Sequence, residues 1–140
     1  MGRIMAIDYG RKRSGLAVTD TLQIIAGGLA TVSSNELLDY ISAYVAREPV
    51  DLLIVGFPVQ MNNEASENMK YVENFVARLK HSLPDIPAQY YDERFTSLMA
   101  RRAMIDGGLG KKKRRNKALI DEISAVIILQ SYLESKKQNI

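Results

Sequence analysis

The 140-residue sequence contains no cysteine and a single histidine, His81. The absence of cysteine excludes disulfide bonds, thiol nucleophiles and thiolate zinc sites. One histidine cannot form a multi-histidine metal site, so any bound metal ion should have oxygen ligands. No apolar run approaches the roughly 18 residues that a membrane helix requires, and the N-terminus lacks the long apolar stretch of a secretory signal. We therefore expect a cytoplasmic protein.

The composition is that of an ordinary globular protein. Hydrophobic residues make up 46% of the chain and charged residues 25%, which excludes a disordered or collagen-like protein. A length of 140 residues predicts one domain, spanning residues 1–140.

The positive charge is concentrated in one short segment. Lysine and arginine number 19 against 16 acidic residues, which gives a net charge of +3. Six of the 19 lie in the heptad KKKRRNK, residues 111–117, and without it the balance is −3. The sequence therefore describes a mildly acidic body that carries one strongly basic segment.

Hydrophobic periodicity predicts an α/β fold in three layers. Strands are expected at residues 3–7, 14–18, 23–32, 51–56 and 87–91, the third one bent at Gly27 and Gly28. Helices are expected after a capping box from Ser33 to Glu36, at residues 66–82, from Thr96 or Ser97 to about 107, and at 117–136. The chain begins with three consecutive strands, and the later strands alternate with helices. This order predicts a mixed five-stranded sheet flanked by helices.

Acidic residues follow two of the predicted strands. Asp8 ends the first strand, and Asp92 and Glu93 end the last one; ligands of α/β sheets bind at such strand ends. Each position has a structural alternative as well. Asp8 is also compatible with an Asx-turn, in which the carboxylate bonds its own backbone, and the acids after the last strand are compatible with an ion pair to Arg94.

The last predicted helix contributes further acids. Asp121 and Glu122 both interrupt its apolar flanks, where a charge is costly unless it is paired or bound to metal. An ion pair between Asp121 and Lys117, one turn earlier, is the structural alternative. The helical periodicity does not distinguish Asp121 from Glu122.

Carboxylates from separate segments, in a chain without cysteine ligands, are typical of a site that binds one or two Mg²⁺ ions. In a two-metal nuclease one ion activates a water and the other stabilises the leaving oxygen of a phosphodiester. The acids therefore predict a nucleic-acid substrate.

Four motifs in order resemble the bacterial YqgF family, also called RuvX, over nearly the whole chain. They are IDYGRKRSGLAVTD at residues 7–20, IVGFPVQMNNEAS at 54–66, YDERFTSLMARR at 91–102 and DEISAVIILQSYLE at 121–134. The family is described as Holliday junction resolvases with an RNase H-like fold, and it is linked to 5′-end maturation of pre-16S ribosomal RNA. Ser14 departs from the family pattern, in which isoleucine is frequent.

The resemblance implies a metal-dependent nuclease with Mg²⁺ or Mn²⁺ as its cofactor. It matches Asp8, Glu93 and Asp121 to the catalytic and metal-binding acids, although the family motif contains Asp92 as well. The substrate would be branched DNA or precursor rRNA, and the protein a monomer or a homodimer. A nucleic-acid-binding factor that does not cleave is the alternative.

Basic residues supply the expected contacts to the phosphate backbone. These are Arg11, Lys12 and Arg13 at the tip of the first hairpin, Arg94, and the heptad residues Lys111, Lys112, Lys113, Arg114, Arg115 and Lys117; a solvated loop is the alternative for the heptad. Tyr9, Tyr90 and Tyr91 are expected near the site, where an aromatic ring can stack on an unpaired base, although we expect Tyr90 to pack in the core.

Overall fold

A computed structural model describes residues 2–57, 67–92 and 117–138. Its mixed sheet has the strand order β3-β2-β1-β4-β5, formed by β1 (Arg3–Asp8), β2 (Arg13–Thr19), β3 (Ala26–Ser33), β4 (Val50–Phe57) and β5 (Ala88–Asp92). The described helices are α1 (Leu37–Arg47), α2 (Glu67–Ser82) and α3 (Lys117–Gln138). β2 is antiparallel to β1 and β3, whereas β4 is parallel to β1 and β5. The predicted five-stranded mixed sheet is confirmed.

Helices cover both faces of the sheet. Along β1, Met5 and Ile7 pack with α1 and α2, whereas Ile4 and Ala6 pack with α3. All four side chains are at most 1% exposed. Successive side chains of a strand point to opposite faces, so β1 is apolar on both sides and forms the centre of a three-layer structure. Within the described residues no helix is long and apolar enough to span a membrane.

The bend predicted in the third strand is present. Leu16 is paired with Ala30 while the next residue, Ala17, is paired with Gly28, so Leu29 is an extra residue in β3. One extra residue on one strand is a β-bulge, which bends the strand and increases its twist.

The predicted start of this strand at Gln23 is wrong, because β3 begins at Ala26. The preceding residues form a turn around the Asp20 carboxylate, and Gln23 adopts a φ of 59° within that turn. A residue whose backbone lies in the left-handed region of φ and ψ cannot continue an extended strand.

The predicted capping box is also wrong. Ser33 is the last residue of β3 and its side chain makes no capping hydrogen bond. The Ser34 amide instead donates to the Lys12 carbonyl (3.0 Å), which extends the sheet pairing by one residue. A short 3₁₀ turn over Ser34–Glu36 then leads into α1 at Leu37.

The remaining predicted boundaries agree with the structure to within one or two residues. The loop after β4, the predicted helix from residue 96 or 97, and most of the basic heptad lie outside the described residues.

Candidate active site

Asp8 is the last residue of β1 and lies at the carboxyl end of the sheet. Its side chain belongs to the face covered by α3, because Ile4 and Ala6 pack on that face and the pleat repeats every two residues. Asp8 is half-buried. The parallel strands β1, β4 and β5 all end at this edge, so their carboxyl ends are brought together as the sequence predicts.

Glycines flank Asp8 on both sides. The strand register aligns Asp8 with Gly15 of β2 and with Gly56 of β4. The same row continues to Thr31 of β3 and to Tyr91 of β5. Directly aligned residues of neighbouring strands share a face and lie about 5 Å apart. The two positions directly aligned with Asp8 therefore carry no side chain.

The turn after Asp8 is held by serine hydroxyls. The Gly10 amide donates to Ser14 Oγ at 3.2 Å, and Ser34 Oγ lies 2.8 Å from Ser14 Oγ while also donating to the Gly10 carbonyl. Ser14 is fully buried, so its departure from the family pattern is compensated by polar partners. An Asx-turn at Asp8 would use the Gly10 amide. In this structure the Gly10 amide is bonded to Ser14.

Asp20, by contrast, is an acid with a structural role. Its carboxylate accepts hydrogen bonds from the amides of Leu22 (3.2 Å), Ile24 (2.8 Å) and Ile25 (2.9 Å). The amides of Ile25 and Ile24 stabilise the charged form and lower the pKa of Asp20.

The second predicted acid follows β5. Asp92 is the final residue of this strand and is aligned with Phe57, whereas Glu93 and Arg94 lie outside the described residues. Tyr91 belongs to the α3 face, since its hydroxyl is hydrogen-bonded to Ser131 Oγ. Its ring also packs edge-on against Tyr132, with 6.3 Å between ring centroids.

The third predicted acid lies near the start of α3. Asp121 is in the second turn of this helix, and its side chain and that of Lys117 lie outside the described part of the chain. The neighbouring Glu122 is turned towards the edge strand, because a Cβ placed on Gly28 would overlap its carboxylate. Glu122 therefore packs over β3, two strands away from β1.

The described residues contain no group of three or more side chains able to bind a metal ion. Asp8 belongs to the described part, whereas the Glu93 and Asp121 side chains do not. The predicted ligand set of Asp8, Glu93 and Asp121 consequently stays a prediction.

The basic hairpin tip lies at the same edge of the sheet. Arg11 and Lys12 are exposed and Arg13 is the half-buried first residue of β2. The Arg11 guanidinium lies 4.5 Å from the centroid of the Tyr71 ring on α2. Residues 111–115 and Arg94 lie outside the described residues, and so does the Lys117 side chain.

The three tyrosines have different environments. Tyr9 stacks on Phe75 of α2, with ring centroids 5.0 Å apart, and Tyr91 packs against α3. The prediction that Tyr90 packs in the core is wrong, because it is 40% exposed. Partial burial together with Glu73 raises the pKa of Tyr90. Tyr71, which contacts Arg11, is not among the residues singled out from the sequence. In the sequence it is recognisable only as an aromatic residue on the polar side of α2.

The fold is RNase H-like. The structure superposes on Thermus thermophilus RuvC, solved in complex with a Holliday junction substrate, with a TM-score of 0.59 at 17% sequence identity, covering 98% of this chain and 96% of RuvC. At 17% sequence identity, this similarity shows a shared fold and nothing further.

Sequence similarity defines the family. Residues 2–135 match the RuvX family, described as Holliday junction resolvases, and the chain belongs to this family. A protein of Parabacteroides distasonis named "Putative pre-16S rRNA nuclease" is 68% identical over 137 residues, which cover 98% of each chain. A protein of the same name from Bacteroides thetaiotaomicron is 64% identical over 137 residues, covering 98% of this chain and 99% of the relative. The resemblance inferred from the four motifs is confirmed.

Proposed function

We propose that this protein hydrolyses phosphodiester bonds of nucleic acid in a metal-dependent reaction, with pre-16S rRNA or branched DNA as its substrate. Membership of a resolvase family and the names of the curated relatives support this proposal. The observation that carries it is the position of Asp8, whose carboxylate lies at the carboxyl end of the sheet between two glycine positions.

Asp8, Glu93 and Asp121 are the proposed catalytic and metal-binding residues. The match to the family motif favours Glu93 over Asp92 as the second ligand, although the motif contains both acids. The carboxylate set suits Mg²⁺ or Mn²⁺, because both ions prefer oxygen ligands. A bound ion would lower the pKa of a water molecule and stabilise the charge on the leaving oxygen.

The reaction joins a water oxygen to phosphorus and breaks the bond between phosphorus and the 3′ oxygen. Gly15 and Gly56 contribute by placing no side chain at the two positions directly aligned with Asp8, where a larger residue would hinder the approach of a phosphate. The serine-bonded turn fixes the backbone just after Asp8. Preorganised groups of this kind lower the cost of assembling the site during the reaction.

Cleavage tests the proposal directly. A four-way DNA junction and a pre-16S rRNA fragment are each incubated with the protein in Mg²⁺ or Mn²⁺, alongside Asp8→Asn and the matched control Asp39→Asn. Asp39 is an exposed carboxylate on α1, the helix on the opposite face of the sheet. We expect cleavage by the wild type and by Asp39→Asn, and at least about a hundredfold less by Asp8→Asn.

Three outcomes would argue against nuclease activity. If no protein cleaves either substrate although all bind it, the chain is a binding factor that does not cleave. If Asp8→Asn cleaves as fast as the wild type, the activity comes from a contaminant or from another site. If Asp39→Asn loses activity equally, the loss does not depend on the position of the carboxylate.

Basic residues are proposed to hold the phosphate backbone. They comprise Arg11, Lys12, Arg13 and Arg94 together with Lys111, Lys112, Lys113, Arg114, Arg115 and Lys117. Because binding to phosphates releases counterions, a variant with a neutral heptad should bind more weakly and show a shallower dependence on salt concentration. An unchanged salt slope would remove the heptad from the interface.

A further inference from the structure

The hairpin tip is anchored on α2 by two aromatic contacts. Arg11 lies over Tyr71 at 4.5 Å and Tyr9 stacks on Phe75 at 5.0 Å. Tyr71 and Phe75 are four residues apart on α2 and therefore lie on the same face of the helix. Phe75 is 3% exposed and belongs to the core, whereas Tyr71 is 46% exposed at the surface.

The backbone of the tip is fixed independently of these rings. The Lys12 carbonyl accepts a hydrogen bond from the Ser34 amide (3.0 Å), and the Gly10 carbonyl accepts one from the Ser34 hydroxyl. Arg11 lies between these two anchored residues. The starting point of its long side chain is therefore constrained, and the Tyr71 ring constrains the other end.

The surroundings of Arg11 favour an anionic ligand. Lys12 and Lys70 are both exposed, one adjacent to Arg11 in the sequence and the other adjacent to Tyr71. Among the side chains that the structure describes near Tyr71 on α2, Glu73 is an exposed acid, two residues further along. Arg11 is three residues from Asp8, and three residues of extended chain span at most about 11 Å. A phosphate bound at Arg11 would therefore lie at the same edge of the sheet as Asp8, on the side of α2.

We propose that Arg11 binds a backbone phosphate of the substrate at the same edge of the sheet as the cleavage site and that Tyr71 is its positioning residue. This proposal rests on the proposed function for the identity of the substrate. A guanidinium offers parallel N–H donors to one phosphate, and an aromatic ring stacked on its plane contacts the face of the group and not these edges. Holding the group in place beforehand reduces the entropy lost on binding.

Binding of a fluorescently labelled single-stranded RNA, measured over a range of salt concentrations, tests this proposal. All variants are made in the Asp8→Asn background and measured in EDTA, so the result does not depend on cleavage or on a metal ion. We expect Arg11→Gln to lower the affinity about tenfold. The slope of log affinity against log salt should become shallower by about 0.7, which corresponds to one phosphate contact on a single strand.

Variants of Tyr71 separate positioning from direct contact. Tyr71→Leu should lower the affinity about two- to fivefold, whereas Tyr71→Phe should keep it, because phenylalanine retains the ring face. In the Arg11→Gln protein, Tyr71→Leu should have no further effect. Arg78→Gln, which removes the same charge from an exposed position further along α2, is the matched control and should leave affinity and slope unchanged.

Four results would overturn the proposal. An unchanged affinity and slope in Arg11→Gln would exclude the phosphate contact. An equal loss of affinity in Arg78→Gln would show that the effect comes from the net charge of the protein and not from the position of Arg11. A further loss from Tyr71→Leu in the Arg11→Gln protein would show that Tyr71 contacts the RNA itself. A Tyr71→Phe protein as weak as Tyr71→Leu would assign the effect to the hydroxyl. Thermal melts of each variant verify folding. Because no arm requires cleavage, failure of the nuclease proposal would be seen separately.

Discussion

Two aspartates at opposite ends of the sheet occupy similar positions in the sequence and have different roles. Asp8 ends β1 and Asp20 directly follows β2, and each is followed by a turn. The Asp20 carboxylate accepts three backbone amides of its own turn. In the turn after Asp8 the corresponding amide, that of Gly10, is bonded to Ser14 instead. A strand-end aspartate is thus a better candidate for a functional role when other side chains hold its turn.

The two turns also present opposite chemistry to solvent. The turn after Asp8 exposes Arg11 and Lys12. The turn at Asp20 exposes large aliphatic side chains, with Leu22 at 66%, Ile24 at 56% and Ile25 at 69%. The basic turn suits a phosphate backbone, whereas an aliphatic turn has no group that can pair with one. We therefore expect the proposed substrate to bind at the carboxyl end of the sheet.

The largest expected effect is the loss of cleavage in Asp8→Asn. Cleavage rate and melting temperature, measured for a variant of each aspartate, should distinguish the two roles. Asp8→Asn should lose at least about a hundredfold in cleavage rate and keep the melting temperature of the wild type. Asp20→Ala should lose three hydrogen bonds, melt at a lower temperature, and cleave at the wild-type rate once folded. Cleavage assays and thermal melts on both proteins test this. A similar loss of activity in the two variants would contradict the assignment of different roles.

The next effect concerns the serines that hold the Asp8 turn. Ser34→Ala removes partners of the Gly10 carbonyl and of the buried Ser14 hydroxyl, and should lower the free energy of unfolding by about 1–3 kcal/mol. Ser33→Ala is the matched control. Ser33 is exposed and makes no capping hydrogen bond, so its change should be below about 0.5 kcal/mol. Equal effects in a urea titration would show that the serine pair does not stabilise the turn.

A smaller effect is the pH dependence of stability that Asp20 contributes. Its pKa is lower in the folded protein than in the unfolded chain. The stabilisation is therefore fully present above the unfolded pKa of about 3.9 and is lost as the pH falls through the folded pKa. Urea unfolding of the wild type and Asp20→Asn should differ most at neutral pH, and the difference should shrink below about pH 4. A difference that is constant over this range would contradict the assignment.

The smallest effect is expected at the aliphatic turn. Ile25→Ser changes a side chain that is 69% exposed, so the free energy of unfolding should change by less than about 0.5 kcal/mol. RNA affinity and cleavage should equal those of the wild type. Weaker RNA binding in this variant would place the substrate at both ends of the sheet and remove the distinction between them.

The sequence by itself determined the order of the described strands and helices, the mixed sheet and the position of Asp8 at the end of a strand. These features depend on local periodicity, which a single segment carries. The predictions from sequence that proved wrong at Ser33 and Gln23 concern segments that form hydrogen bonds with residues distant in the chain. Ser33 fits a capping box, but Ser34 pairs with Lys12. Gln23 was predicted to begin a strand, but its side chain bonds the Gly2 carbonyl (2.7 Å) in a turn that Asp20 organises.

Only the tertiary structure decided what surrounds the candidate site. Gly15 and Gly56 are seven and 48 residues from Asp8 in the sequence, and the strand register alone aligns them with it. Tyr71 lies on the helix predicted at residues 66–82, but only the folded hairpin tip brings Arg11 onto its ring. Such alignments depend on pairing between segments far apart in the chain, and one segment's own periodicity holds no information about them.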